Sequence, residues 1–427
     1  MSTTSFNPRE GFIDMSRQLE RACSELLTVE TGHRKLIVHG TEFRQTGKIS
    51  ATAFKSQRET KEKGGTYAIP MYADLELQNS AGKKISRKKV LVAKVPIITQ
   101  RLTYILGGRE YQVANQFRRM SGAYTRISDR GEVQGVISHE RRGQMKMSLD
   151  PKTYQITLRP VKGSARSVSV YDLLRAADKT DADISAKWGK EMVEANKSLR
   201  SEARRDAQVI AIAKAMIEKP HDRTVEAPAI ITAKDAATYI FKQLKSWTLD
   251  PRVTQDTLGQ AHTVLDADAL LSTGKKILDV SKGSKPSTYN NIGHKKMFSP
   301  GDLLRDYLTR SSMEIQQQLK NRLHKDASDV ATIAKNVLTK RITSFFRQGG
   351  ETQLVSEADM TNPLATLVGH RMTTVTGMGG IGVGPGMQLG DAQQAHSSHI
   401  GFLDPVDTGE KGTTGLQLYM TLGADKK

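Results

Sequence analysis

Glycine occupies positions 377, 379, 380, 382, 384 and 386, and Pro385 lies inside the same run. Each glycine costs extra backbone entropy to order and opens positive φ to the chain, so neither a regular helix nor a regular strand fits there. The run predicts a long, shaped loop, and such a loop set between apolar segments points to function. It belongs to a wider stretch, Asn362 to Leu416, that also carries His396, His399, Asp404, Asp407 and Glu410. The order G-x-x-x-x-G-K-S/T is missing and no amphipathic helix follows, which argues against a loop that cradles nucleotide phosphates. His396 and His399 are spaced for one helical face, yet Ser397, Ser398 and Gly401 disfavour a helix. Zinc would need further ligands that the sequence does not identify, so packed or hydrogen-bonded loop histidines are expected. Asp404, Asp407 and Glu410 are spaced either to hold Mg2+ or to pair with nearby lysines and arginines. No nucleophile can be matched to a base from the sequence.

Upstream, Pro8 opens a helical pattern in which Phe12, Ile13, Met15, Leu19, Ala22, Leu26 and Leu27 recur, and which is expected to end near Gly32. From Leu36 to Gln116 the pattern is mostly strand, with Tyr67 to Leu77 and Lys89 to Val95 flanking a hairpin tip at Asn79 to Lys84. Gly107-Gly108 predicts a tight hairpin turn. Arg118 and Arg119, at its exit, are expected as surface charges. Met145 to Leu158 reads as another strand pair turning at Asp150-Pro151-Lys152. Beyond Tyr171, Asp172 to Ala177 and Lys187 to Ile217 have the composition of long helices, Pro220 stops that run, and further helices are predicted over Ala233 to Trp247 and Ala267 to Val280. Ala123 to Ser287 therefore reads as a mixed insertion with its own core. Ser299-Pro300-Gly301-Asp302 has the chemistry of a helix start, with serine as the cap and proline in the first turn. A helix from about Ser328 to Arg347 then leads to the glycine-rich stretch.

The formal net charge of +19 over 427 residues argues for a polyanionic partner, nucleic acid before a membrane surface. Cys23 is the single cysteine, which excludes a disulfide framework or a thiolate zinc cluster and fits a reducing, intracellular setting. The polar start and the Lys214 interruption of Val209 to Ile217 speak against a signal peptide or a membrane span.

Val95 to Tyr124 carries a more specific signal. It resembles, without a gap, the segment of the multisubunit RNA polymerase β subunit that reads roughly I-P-L-M-T-x-x-G-T-F-x-I-N-G-x-E-R-x-x-x-x-Q-L-x-R-S-P-G. Thr103-Tyr104-Ile105, Gly108, Glu110, Gln116, Arg119 and Gly122 fall in matching places. Four further blocks match in order: Thr66 to Pro70; Asp150-Pro151-Lys152 with Leu173 to Ala176; Ile292 to Asp302; and Phe345-Phe346 with the fork positions Asn362-Pro363-Leu364, Arg371, Gly377, Gly379-Gly380, His396, His399, Gly401, Pro405, Thr408, Glu410 and Gly415-Leu416.

The resemblance implies an α+β, multidomain chain with a protrusion (residues 1–126 and 290–350), a lobe (127–289) and a fork region (351–427), together forming one wall of a DNA cleft. It covers the N-terminal half of β, and Lys427 comes before the family's RNA-gripping lysines, so a split β gene is implied, as in giant bacteriophages related to phiKZ. The chain alone is then expected to be inactive. Mg2+ would be held by a β′-like partner in the assembled enzyme. The other partners implied are a C-terminal β-like subunit, two or more β′-like subunits, a phage specificity subunit, template DNA and the RNA transcript, without a membrane. The setting would be the cytoplasm of the infected bacterium or the virion.

Carried over position by position, Glu410 would lie near the active centre, Asn115, Gln116 and Arg119 on the wall near the transcript, and Arg371 along the RNA–DNA hybrid. Gly379 to Gly390 would form the fork loop, with Gly379, Gly380, Lys411 and Thr413 also contacting nucleic acid. The departures are specific: the fork loop lacks the family's arginines between Gly382 and Gly386, Gly409 replaces proline, Thr413 replaces asparagine and Phe402 replaces arginine. Gly369, Met372 and Thr374 replace polar and basic residues of the rifampicin pocket, which implies resistance. From another class, a basic structural or DNA-packaging protein with a β-like domain fits the same charge.

Overall fold

Met15, Leu19, Ala22, Cys23 and Leu26 line one face of the helix Pro8–Leu27 and are almost fully buried, the three-and-four spacing that an amphipathic helix requires. This computed structural model describes residues 8–43, 53–128, 131–140, 143–160, 166–199, 201–218, 220–221, 225–226, 228, 232–288, 290–324, 329–347, 354–381, 390–409 and 411–424. The chain divides into two compact units, Met1–Arg118 with Met297–Lys427, and Arg119–Lys296. Among the described residues no helix is long and apolar enough to cross a membrane.

In the first unit the buried face of Pro8–Leu27 belongs to one core with an antiparallel sheet of Val29–Thr31, Arg34–Phe43, Ala68–Asn79 and Lys84–Pro96, in that order. Leu36, Met71, Leu75, Leu77 and Val92 alternate inward from its strands, as period-two side chains on one sheet face must. The helix does not run to Gly32: it stops at Leu27, and Gly32 with His33 forms the turn that sets Thr31 opposite Arg34. The helix Ala53–Glu62 interrupts the region read as strand. Gly107 and Gly108, at φ 57° and 80°, close the hairpin of Tyr104–Leu106 with Arg109–Val113 as expected.

The helix Pro300–Arg310 begins with a complete capping box, Ser299 and Asp302 exchanging side-chain and backbone bonds. It crosses Pro8–Leu27 closely: a Cβ on Gly301 would fall 3.0 Å from Met15 Cα, and Gln18 Nε2 donates to Asp302 Oδ1 at 2.9 Å. The helix expected over Ser328 to Arg347 is two, Val330–Ala334 and Thr339–Phe345. Asn336 takes φ 53° between them, and the amides of Asn336 and Leu338 donate to Leu91 and Val92 carbonyls on the edge of the sheet. Tertiary hydrogen bonding there overrides helical propensity.

The second unit carries an antiparallel meander in the order Val168–Ser169, Ile156–Arg159, Gly143–Leu149, Val133–His139 and Gly122–Ile127. Ala123, Ile137, Met145, Met147 and Leu158 bury one face in a core shared with Trp188, Leu270 and Ile277 from the helices. The long helical composition resolves into Asp181–Trp188, Lys190–Ser198 and Glu202–Glu218, the first two separated by Gly189 at φ 93°. Ala233–Leu244 ends before Trp247, and Pro251–Leu258, capped by Asp250, is an additional helix that the composition did not announce.

Candidate nucleic-acid interface

Asn362 to Leu416 is more structured than its glycines suggest. Asn362 Oδ1 accepts from Leu364 N at 2.9 Å and Pro363 takes the first helical position, so the helix Pro363–Arg371 starts with local chemistry alone. The chain then enters a sheet in which Asn115–Arg119, Met372–Thr374, Gln417–Met420 and Leu403–Thr408 lie side by side, Thr373 and Thr374 running parallel to Asn115 and Gln116. Just beyond it the glycine turn closes: Gly380 N donates to Gly377 O at 3.0 Å and Ile381 N to Val375 O at 2.8 Å. Gly377 and Gly379 take φ 94° and 84°, and a Cβ on Gly380 would lie 2.4 Å from Val375 O, so glycine is required by both conformation and space. Residues 382–389, the greater part of the expected fork loop, and Glu410 lie outside the described residues.

The side chains expected to face nucleic acid fall into two groups. Asn115 and Gln116 are buried and brace backbone: Asn115 Nδ2 donates to His370 O at 3.3 Å, and Gln116 Nε2 to Thr376 O at 2.6 Å. Arg371 is 7% exposed; its Nε donates to Met420 O at 2.5 Å and its Nη2 lies 3.5 Å from Asp404 Oδ2. By contrast Gly379 and Thr413 are exposed and Gly380 is partly so, with Lys411 in the same short turn, Lys411–Thr413, as Thr413. Arg119, in the second unit, is half-buried with its Cζ 4.2 Å from the centre of the Tyr124 ring. Gly409 has a local reason to be glycine, because a Cβ there would meet Thr413 Oγ1 at 2.6 Å.

Arg118 is not the surface charge the sequence suggested. It is 2% exposed and its Nη1 lies 2.7 Å from Oδ2 of Asp306, which is also buried. A buried cation needs such a partner, and nothing near it in sequence reveals one. Glu110 is a second buried hub: it accepts from Thr103 Oγ1 at 2.7 Å and Lys61 Nζ at 3.1 Å, and pairs with Arg101.

Of the two roles left open for the carboxylates, Asp404 adopts pairing. Its Oδ1 accepts from Val406 N at 3.0 Å and Asp407 N at 3.2 Å, and these bonds, with Arg371 adding to them, hold its carboxyl below the usual aspartate range. His396 Nδ1 accepts from Ser398 N at 3.1 Å and so caps the short turn Ser397–His399. Among the described residues no group of three or more His, Cys, Asp or Glu side chains could hold a metal ion. What the geometry offers is a sheet braced by Asn115, Gln116 and Arg371 and ending in a glycine turn.

No family model matches the chain. It is 25% identical over 418 residues to the DNA-directed RNA polymerase subunit beta of Prochlorococcus marinus, covering 91% of this chain and 36% of that one. It is 25% identical over 433 residues to the same-named subunits of Synechococcus sp. (strain CC9311) and Parasynechococcus marenigrum, covering 95% of this chain and 37% of each relative. The chain thus spans little more than a third of the length of the curated relatives it matches. Similarity that runs through nine-tenths of the chain makes it a homologue of the bacterial RNA polymerase β subunit over about a third of that subunit's length.

Proposed function

We propose that this chain is the N-terminal β-like subunit of a multisubunit DNA-dependent RNA polymerase of the giant-bacteriophage type, and that it forms one wall of the DNA cleft. The observation that carries the reading is the similarity to β subunits through 91% of the chain. The net charge of +19 supports a nucleic-acid partner, since lysines and arginines along a cleft give affinity without sequence preference.

In this reading residues 1–126 and 290–350 are the protrusion, 127–289 the lobe and 351–427 the fork region. Arg119, Gly379, Gly380, Lys411 and Thr413 contact DNA or transcript directly, while Asn115, Gln116 and Arg371 hold the wall from behind. Glu410 lies near the active centre. The chain supplies positioning and electrostatics and no reacting group.

Phosphodiester formation needs metal ions on closely placed carboxylates. Among the described residues Asp404 does not fit that role, because it already takes two backbone amides and faces Arg371. The resemblance gives Mg2+ to a β′-like partner, and a C-terminal β-like subunit is proposed beside it. The assembly works in the infected cell or travels in the virion.

The test is co-purification of a tagged copy from its native source, with mass spectrometry of its partners and transcription assays at two salt concentrations. Recovery with chains that bear the β′ N-A-D-F-D-G-D motif, and RNA synthesis by that complex, is the expected result. Recovery of this chain alone, or with capsid and packaging proteins only, would defeat the reading.

A further inference from the structure

Arg118 occupies a variable position of the polymerase-like segment, and the resemblance gives it no role. Its surroundings do. All three guanidinium nitrogens are used: Nε donates to Gln116 Oε1 at 2.7 Å, Nη1 to Asp306 Oδ2 at 2.7 Å and Nη2 to Met378 O at 2.9 Å. Its Cζ lies 4.3 Å from the centre of the Phe298 ring. Gly379 lies directly against the guanidinium, since a Cβ there would fall 2.5 Å from Cζ. Gln116 completes the frame by donating from Nε2 to Thr376 O at 2.6 Å, and Arg310 Nε braces Asp306 at 3.1 Å.

We infer that Arg118 is the positioning residue of the glycine turn, Gly377 to Ile381, and that Asp306 keeps it charged in place. What the turn does for nucleic acid rests on the polymerase reading above; that Arg118 sets its conformation does not. Three of the turn's five residues are glycines, with no side chain to hold them and much backbone entropy to lose, while Met378 packs on the core of the first unit. Here one charge-assisted hydrogen bond, to the Met378 carbonyl, anchors it from below. The anchor works only where residue 379 lacks a Cβ, which ties the glycine to the arginine. The helix Pro300–Arg310, the strand Asn115–Arg119 and the turn therefore meet at a single cation. Because that cation is buried and neutralised, it adds nothing to phosphate attraction and acts only through the turn's shape.

The test uses the full chain with Arg118→Met, Arg118→Lys and Gly379→Ala, read by amide hydrogen exchange and by affinity for a forked DNA duplex over a salt series. In Arg118→Met, amides from Gly377 to Ile381 are expected to exchange about tenfold faster or more, while those of Ala68–Asn79 keep their rate. Fork affinity falls by about three- to tenfold with the salt slope unchanged, and Arg118→Lys restores part of both. Gly379→Ala, at an exposed position, adds the clash with the guanidinium to the strain of its positive φ, so it is read against Gly401→Ala, at φ 81° with nothing within 4 Å; a larger local rise in exchange at 379 than at 401 decides the matter if Arg118→Met fails to fold.

Unchanged turn exchange in Arg118→Met, with a rise in Gly379→Ala no larger than in Gly401→Ala, overturns the inference. So does a salt slope lowered by about one on loss of Arg118, which would make it a phosphate ligand. A wild-type chain that ignores the fork defeats the nucleic-acid reading, and the exchange data still decide the positioning role.

Discussion

Arg371 and Asp404 meet at the end of the sheet that frames the glycine turn, Nη2 lying 3.5 Å from Oδ2 while Nε donates to the Met420 carbonyl. One arginine thus ties the end of the helix Pro363–Arg371 to two strands that follow it by more than thirty residues. The Asp404 carboxyl is held below its usual range by the amides of Val406 and Asp407 and then by Arg371. A carboxylate with a depressed folded pKa stabilises the fold above the unfolded value, near 3.9, and that contribution is lost as pH falls through the lower folded value. Acidification below about pH 4 is expected to lower the protection of the Leu403–Thr408 amides, measured against their intrinsic exchange rate at each pH. Asp404→Asn should remove that loss of protection. Protection in this strand that is flat with pH in the wild type would refute the account.

Rifampicin should not inhibit the assembled enzyme at doses that stop bacterial transcription, a prediction that stands on the polymerase reading. Gly369 presents no side chain toward a ligand and packs on Gln112, whose Oε1 would meet an added Cβ at 2.2 Å. Thr374 is buried, and its hydroxyl is within 2.9 Å of Thr376 Oγ1 and accepts from Thr376 N at 3.1 Å. The groups left at these positions are either absent or spent internally. A transcription assay with a drug titration beside a sensitive bacterial enzyme decides it.

Gly274→Ala should destabilise the second unit by about 1–3 kcal/mol, the usual cost of overpacking a filled core. A Cβ there would stand 2.5 Å from Trp188 Cζ2, and Trp188 cannot step aside because its Nε1 donates to Leu271 O at 2.9 Å. Gly32→Ala, where nothing lies within 4 Å, is the matched control and should change stability by no more than about 0.5 kcal/mol. Urea unfolding followed by circular dichroism reports on both, and fluorescence of Trp188 and Trp247 on the second unit.

Local chemistry in the sequence announced the elements it controls. Ser299-Pro300 capped a helix, Gly107-Gly108 turned a hairpin, and Asp150-Pro151-Lys152 separated two strands, each within a few residues of its own cause. Elements set by distant partners were not legible. The break at Asn336 exists because Leu91 and Val92 capture its neighbourhood's amides, and Arg118 is buried because Asp306 waits 188 residues away. The candidate interface was half legible for the same reason. An amide or a guanidinium serves as well for bracing backbone as for binding phosphate, so the sequence could single out Asn115, Gln116 and Arg371 but not show that their side chains turn to backbone carbonyls.

Lys295 provides a last test, because its position costs the fold stability. Burial first, and then the Arg119 guanidinium, push its ammonium down to about 8. An unfolded lysine titrates near 10.4, so between about pH 8 and pH 10.4 the unfolded state holds more protons than the folded one and stability rises with pH. Below about pH 8 both states are charged and the folded state carries the full penalty, at most about 3 kcal/mol by linkage. A bond from its Nζ to Asn290 Oδ1, at 3.3 Å, offsets part of this. Lys295→Met keeps the length of the stem, removes the buried charge, and is expected to raise stability at pH 7 while flattening the rise between pH 8 and pH 10. Urea titrations at pH 7 and pH 10 measure both effects. A variant less stable than the wild type at pH 7 would mean that the ammonium is compensated in place, and that the strain at this corner of the second unit lies elsewhere.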